Sequence, residues 1–225
     1  LKSLGVKDEQ IMLTGDDAIE PAYKSRPAKA GSHIGVNLRI SAYSAAKDEH
    51  IETVGNIIQN LALKHSCPIM PIPISFYENE ADLKIIQRLT GDFSPQNSIN
   101  CPQDIIDKVS QCKVVVTGSY HSAVFALAQG IPAITLYKTA YYKNKFSGLA
   151  SQFGCGCELI SLDDNHFEKK LLDSIDYAWT TGEALRPRLL TAAKNQIESA
   201  YEAYTRLYNM LESQKTGRYE EIQYV

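Results

Sequence analysis

The sequence has no apolar run long enough to cross a membrane and no marked excess of charge. A membrane helix needs about 18 or more consecutive apolar residues, and no stretch of this chain approaches that length. The 23 basic and 26 acidic residues give a net charge of -3. The chain as a whole therefore offers no electrostatic attraction to nucleic acids or anionic membranes. We expect neither a membrane span nor a nucleic-acid partner.

Sequence patterns for metals and common cofactors are also missing. Zinc sites pair their ligands at recurring spacings, whereas the five cysteines here are irregularly spaced, at Cys67, Cys101, Cys112, Cys155 and Cys157. No Gly-x-x-x-x-Gly-Lys phosphate loop is present, and no Gly-x-Gly-x-x-Gly pattern follows a predicted strand, which argues against a nicotinamide or flavin. We expect free thiols, no metal and no cofactor. A redox or metal role for the Cys155/Cys157 pair is the alternative.

What the chain does contain is an alternation of short apolar segments with longer amphipathic ones. We predict strands over 10–14, 33–40, 67–76, 97–101, 113–117, 131–137 and 157–161. We predict helices over 46–65, 79–91, 102–111, 120–129, 143–153, 164–180 and 185–213. Strands that alternate with helices of this length form βαβ units. The expected fold is α/β, a doubly wound and mostly parallel sheet with helices on both faces.

Composition also divides the chain into segments. The stretch EPAYKSRPAKAGS, residues 20–32, carries two prolines and a late glycine, which is typical of a linker. We therefore predict a preceding unit over 1–20, a linker over 21–32, a Rossmann-like domain over 33–214 and a tail over 215–225.

The last predicted helix carries an apolar and aromatic stripe that includes Tyr201, Tyr204 and Tyr208. One face of a sheet is too small to cover a helix of this length along its whole stripe. We expect part of the stripe to be exposed or to contact another lobe or chain.

The segment KVVVTGSYHSAVFALAQGIPAITLYK, residues 113–138, places a histidine where a predicted strand leads into a predicted helix. In an open parallel sheet, ligands bind beyond the carboxyl ends of the strands. The free N–H groups and the dipole of the helix favour an anion at that place. The segment thus predicts an anion site around His121, built by Thr117, Gly118, Ser119, Tyr120 and Ser122. An ordinary strand-to-helix turn without a ligand is the alternative.

Cationic residues follow two other predicted strands at the same edge of the sheet. Arg39 ends the strand over 33–40, where a guanidinium suits a phosphate or a carboxylate. The segment KTAYYKNKF follows the strand over 131–137 and brings Lys138, Lys143 and Lys145. We take all four as candidate substrate-binding residues. The alternatives are an arginine engaged in a cap or a salt bridge, and a solvated loop.

These segments resemble the polysaccharide pyruvyl transferases. The stretch VVVTGSYHSAVFALAQGIPAITLYKTAYYKNKFSGLASQFG is similar to the family's strand, histidine turn, alanine-rich helix and Gly-(Ile/Val)-Pro step. HIGVNLR resembles the strand that opens the C-terminal half of the family, and IMLTGDDAIEPAY looks like the junction between halves. The resemblance implies a two-lobed, glycosyltransferase-B-like fold. This chain then corresponds to the C-terminal lobe, with residues 1–20 as a remnant of the missing N-terminal lobe.

The resemblance also implies an activity, the transfer of pyruvate from phosphoenolpyruvate onto a sugar diol as a ketal. Phosphoenolpyruvate is then a co-substrate, and the partners are this anionic donor, a sugar acceptor and the missing lobe or a second chain against the last helix. Such chemistry needs an acid–base group that titrates near neutral pH, which makes His121 the candidate catalytic residue. The implied location is the cytoplasm, either free or at the inner face of the membrane.

One position departs from the family pattern. Many relatives carry Arg-Leu-His where this chain has Ser119-Tyr120-His121, so the arginine that would hold phosphoenolpyruvate in those members is absent. Either Arg39 or the three lysines substitute for it, or the ligand differs. The alternative functions are a glycosyltransferase with a nucleotide-sugar donor and a non-catalytic binding lobe.

Overall fold

The computed structural model describes residues 2–38, 48–75, 82–90 and 99–222. These residues form a five-stranded parallel sheet in the spatial order β2-β1-β3-β4-β5. The strands are β1 (His33–Asn37), β2 (Ile69–Pro71), β3 (Cys112–Thr117), β4 (Ala133–Tyr137) and β5 (Cys157–Ser161). The helices are α1 (Ile19–Lys24), α2 (Asp48–Lys64), α3 (Asp82–Thr90), α4 (Pro102–Ser110), α5 (Tyr120–Ala128), α6 (Ala140–Phe153) and α7 (Phe167–Ile222). The predicted α/β fold is confirmed.

The position of each strand follows from its side chains. Val114, Val115 and Val116 of the central strand β3 are all buried, because a strand covered on both faces needs a continuous apolar run. Strand β2 lies at an edge and pairs with β1 over three residues. An edge is where the sheet tolerates a residue without an N–H, such as Pro71.

Helices cover both faces of the sheet, as predicted. On one face, α2, α3 and the first part of α7 bury an apolar cluster that includes Val114. On the other face, α1, α4, α5, α6 and a later part of α7 bury a second cluster that includes Val115. The two valines are neighbours in β3, and successive side chains of a strand point to opposite faces.

Helix α7 passes from one face of the sheet to the other. Ala178 belongs to the first cluster and Leu189 to the second. We predicted two helices here, with a break after residue 180, and that break is wrong. A glycine costs a helix about 1 kcal/mol, but a Cβ atom at Gly182 would lie 3.1 Å from the Cγ of Pro132. The glycine therefore permits close passage of a continuous helix.

Two strands predicted in the N-terminal half need correction. Residues Asp8–Gln10 form a 3-10 helix, and the described residues form no strand over 10–14 or over 99–101. The predicted linker over 21–32 begins inside α1. Ile19 and Ala22 of this helix are buried against α5 and α7, and this burial explains why a proline-containing segment is helical. The assignment of residues 1–20 to a preceding lobe stays a prediction.

Arg186 joins α7 to the end of α5. Its guanidinium is buried and donates hydrogen bonds to the carbonyl oxygen of Gln129, at 2.8 Å, and to that of Pro27. Burial lowers the pKa of Arg186, yet an arginine remains protonated in proteins. A fixed positive charge thus lies at the C-terminal, carbonyl end of α5, where the helix dipole favours it. This contact holds α5 in place, and the N-terminal end of α5 faces the carboxyl edge of the sheet.

The aromatic stripe of α7 is exposed, as predicted. The exposed fractions of Tyr201, Tyr204 and Tyr208 are 56%, 57% and 63%. The hydroxyl of Tyr201 donates to Glu20 at 2.6 Å, and that of Tyr204 donates to Asp17 at 3.1 Å. None of the helices in the described ranges is both long and apolar enough to cross a membrane.

Candidate functional site

The candidate site lies at the point where the winding of the sheet reverses. From β1 the chain moves through α2 to β2 on one side, whereas β3 pairs with the other side of β1. Crevices for ligands form at such points, beyond the carboxyl ends of the two strands. The N–H of Gly118 donates to the carbonyl oxygen of Asn37 at 2.9 Å. The Asn37 amide in turn donates to the carbonyl of Ile72 at 2.8 Å. The floor of the crevice is therefore fixed by hydrogen bonds.

The turn that follows β3 presents backbone donors to this crevice. The N–H of Ser119 donates to the hydroxyl of Thr117 at 2.8 Å. Ser119 occupies the N-cap position of α5, as predicted, but its side chain makes no capping hydrogen bond. The first N–H groups of a helix have no intrahelical acceptor, and no described residue accepts from Tyr120, His121 or Ser122. Three N–H donors therefore have no acceptor among the described residues, and the helix dipole favours an anion at this end of α5.

The Ser122 hydroxyl is a further unsatisfied group in the same helical turn. It is fully buried and has no hydrogen-bond partner. Buried polar atoms in proteins are nearly always hydrogen-bonded, so Ser122 leaves one exception in the first turn of α5, as Gln129 Oε1 does at the other end of the helix.

The imidazole of His121 is exposed in the first turn of α5. Its neighbours are the ring of Tyr120, at 5.7 Å between centroids, and the ring of Phe125, at 6.2 Å. No described residue forms a hydrogen bond with it, whereas His33 binds the carbonyl of Gln111 and His65 binds Asp176. His121 is thus held at the crevice by ring contacts while both of its nitrogens stay available.

Tyr120 and Lys145 form the wall beside His121. The ammonium of Lys145 lies 4.7 Å from the centroid of the Tyr120 ring and 5.3 Å from that of Tyr141. Partial burial raises the pKa of Tyr120, and the charge of Asp16 raises it further. The phenol therefore stays protonated and can act as a hydrogen-bond donor at neutral pH.

The other predicted cations differ from Lys145 in their surroundings. Lys138 forms an ion pair with Asp163, with 2.8 Å between Nζ and Oδ1, so its charge is already neutralised. Lys143 is exposed, and no contact between its side chain and the turn is observed. Arg39 lies outside the described residues. Of the four predicted cations, the structure places Lys145 beside the turn.

A cavity of about 490 Å³ adjoins His121 and was not predicted from the sequence. Its lining is mostly apolar: Ala18, Ile74, Ile99, Asn100, Cys101, Pro102, Ile105, His121 and Phe125. Helix α4 runs opposite to the strands and therefore begins at the same edge as α5. Pro102 opens α4, and proline favours the first helical position. The sequence therefore contained a signal for where this helix begins.

The cysteines considered for a redox or metal role, Cys155 and Cys157, are half-buried thiols. The five cysteines are free, and burial raises the pKa of Cys157 to about 12. Within the described ranges, no group of three or more His, Cys, Asp or Glu side chains is arranged to hold a metal ion.

A family model for polysaccharide pyruvyl transferases matches residues 1–137. The chain belongs to this family of transferases. The matched region includes β1, β3, β4 and the His121 turn and ends at Tyr137, before the three candidate lysines. No curated protein matches the sequence.

Solved structures with the same architecture are glycosyltransferase-B-like lobes. A protein described as a UDP-N-acetylglucosamine 2-epimerase from Listeria monocytogenes is 12% identical, with a TM-score of 0.56. The alignment covers 91% of this chain and 56% of that one. The glycotransferase of kitacinnamycin is 14% identical, with a TM-score of 0.51 and coverages of 84% and 44%. The chain thus spans about half the length of these structures, and the likeness establishes the fold.

Proposed function

We propose that this pyruvyl transferase family member transfers pyruvate from phosphoenolpyruvate to a sugar diol, with the donor held at the start of α5. The observation that carries the proposal is the coincidence of three unengaged N–H donors with an exposed histidine at the reversal point of the sheet. Phosphoenolpyruvate is a small anion, which is the kind of ligand that helix N-termini favour. Family membership supports the transferase class.

The proposed reaction needs a proton donor for carbon and a proton acceptor for oxygen. Protonated His121 gives its proton to the methylene carbon of phosphoenolpyruvate, which becomes a methyl group attached to an oxocarbenium-like centre. The first sugar hydroxyl attacks this centre and returns its proton to the imidazole. The second hydroxyl then displaces phosphate, which takes the remaining proton. The products are a pyruvate ketal and inorganic phosphate, and the histidine ends in its starting state.

The turn contributes by stabilising charge during these steps. Phosphate accumulates negative charge as it leaves, and donors already fixed in place stabilise such charge without reorganising. The N–H groups of Tyr120, His121 and Ser122 are fixed by α5, and α5 is itself buried between the sheet and α7. The rigid turn therefore offers the leaving phosphate a preorganised site.

A second candidate is a glycosyltransferase that uses a nucleotide-sugar donor. The cavity beside His121 favours it, because its apolar lining suits a planar ring and its volume of about 490 Å³ exceeds the needs of a three-carbon donor. Under this hypothesis, the turn would hold the diphosphate of the nucleotide-sugar and the cavity would hold its nucleobase.

An assay of both donors distinguishes the candidates. The full-length protein is incubated with phosphoenolpyruvate, or with a panel of UDP-sugars, in the presence of oligosaccharides that carry free diols. We expect acceptor-dependent release of inorganic phosphate, in equal amount to the ketal detected by mass spectrometry. Release of UDP without any consumption of phosphoenolpyruvate would contradict the proposal and favour the second candidate. If calorimetry detects binding of neither donor, the alternative of a non-catalytic binding lobe is favoured.

A further inference from the structure

The residue at the start of α5 provides no positive charge for a bound phosphate. Ser119 is neutral and buried, and the free N–H groups of α5 contribute partial charges alone. A phosphate dianion in a crevice usually also requires a full cationic side chain. Some other element must therefore supply that charge if the site holds a phosphorylated donor.

Helix α6 brings a cation to the turn. Lys145 lies in its second turn, and its ammonium sits over the ring of Tyr120, the first residue of α5. A cation near the face of an aromatic ring is attracted by the ring quadrupole, which restricts the otherwise flexible lysine to the side of Tyr120. The aromatic ring holds the ammonium in place without neutralising it.

The charge of Lys145 has no acidic partner within the described ranges. The neighbouring Lys138 differs in this respect, because Asp163 neutralises it at 2.8 Å. Lys145 is also half-buried, whereas Lys143 is exposed and its charge is more strongly screened by solvent. The start of a helix dipole and an ammonium without an ion pair among the described residues thus both lie at Tyr120, the residue next to His121.

We propose that Lys145 is the positioning residue that clamps the phosphate of the donor, in place of a cation at position 119. The identity of the ligand, phosphoenolpyruvate, rests on the proposed pyruvyl transfer. The binding of a phosphate by Lys145 does not, because any phosphorylated donor at the turn would meet the same ammonium. The clamp binds the donor in the ground state and does not move protons. Its loss should therefore raise KM for phosphoenolpyruvate much more than it lowers kcat.

The test compares four variants of the full-length protein: Lys145→Met, Lys145→Arg, Lys143→Met and Lys169→Met. Methionine keeps the length of the stem that packs on Tyr120 and removes the charge. We expect Lys145→Met to raise KM for phosphoenolpyruvate by at least about tenfold while kcat changes by less than about threefold. Lys145→Arg keeps the charge and should retain most of the affinity. Lys169 is an exposed residue of α7 on the opposite face, and Lys169→Met should resemble the unmodified protein.

Several results would overturn the clamp. An unchanged KM in Lys145→Met would do so, as would an equal rise in Lys143→Met, which would indicate a diffuse effect of net charge. A joint fall of Tm, kcat and affinity in Lys145→Met would indicate a structural role in packing Tyr120.

A second ligand, inorganic phosphate, distinguishes failure of the proposed function from failure of the Lys145 clamp. If the unmodified protein does not turn over phosphoenolpyruvate, the same variants are titrated with inorganic phosphate by calorimetry. Weaker phosphate binding by Lys145→Met, with normal binding by Lys143→Met, would support the clamp independently of the reaction. Equal binding by both variants, or no phosphate binding by the unmodified protein, would overturn it.

Discussion

Replacing His121 with alanine should lower the turnover of phosphoenolpyruvate by about 100-fold or more, which is the usual contribution of a general acid–base group. The thermal stability should change little, because the imidazole is exposed and no described residue forms a hydrogen bond with it. His121→Gln keeps hydrogen-bonding groups but cannot titrate, so it should be nearly as impaired. Activity per folded molecule and Tm are measured on both variants.

The matched control is His166→Ala, which removes another exposed histidine, located just before α7. It should leave turnover unchanged. A His121→Ala protein that unfolds more easily but keeps normal activity per folded molecule would end the catalytic assignment, since that result is expected of a packing residue.

The largest loss of stability should come from Gly31→Ala. Gly31 leads into β1, and its N–H donates to the carbonyl of Cys112 at 3.1 Å. A Cβ atom here would lie 1.8 Å from the carbonyl oxygen of Gln111. That atom belongs to the backbone and cannot rotate away, so the entry to β1 must separate from β3. We expect a loss of about 3 kcal/mol or more in the free energy of unfolding, measured by chemical denaturation.

Gly148→Ala provides the opposite case within the same chain. Gly148 is exposed in the middle of α6, and a Cβ atom there would meet nothing within 4 Å. This substitution should stabilise the protein by about 0.5–1 kcal/mol, because alanine is the better helix former. If both glycine variants unfolded at the same denaturant concentration, the close approach of residue 31 to β3 would be refuted.

The sequence predicted those parts of the fold where a local pattern and the tertiary structure agree. Strand β3 and helix α5 were found because a run of β-branched residues followed by small helix formers has one consistent interpretation. The edge position of β2 was not predicted, although proline within a strand is compatible with an edge. The candidate turn was located for the same reason, since the end of a buried strand and the start of a helix are both visible in sequence.

Features that depend on contacts between distant segments were missed. Helix α1 is short and contains Pro21, and its helical state follows from burial of Ile19 and Ala22 against elements remote in sequence. Helix α7 passes Pro132 closely at Gly182, and this approach joins segments that are distant in sequence. The cavity beside His121 likewise arises from four separate segments. Hydrophobic periodicity along the chain does not show which segments that are distant in sequence come into contact.

The choice among candidate cations also required the structure. Sequence places Lys138, Lys143 and Lys145 in one loop and helix, with equal charge and similar neighbours. Their environments diverge because Lys145, within α6, lies over the ring of Tyr120, whereas Lys138, between β4 and α6, lies within reach of Asp163.

Backbone amide resonances test most directly whether phosphoenolpyruvate binds at the first turn of α5. In a titration of the ¹⁵N-labelled full-length protein, we expect the amides of Tyr120, His121 and Ser122 to shift most strongly, because their free N–H groups become hydrogen-bonded to the donor. Saturable shifts centred on the opposite, amino edge of the sheet would contradict this binding site, as would binding of phosphoenolpyruvate that leaves these three amides unchanged.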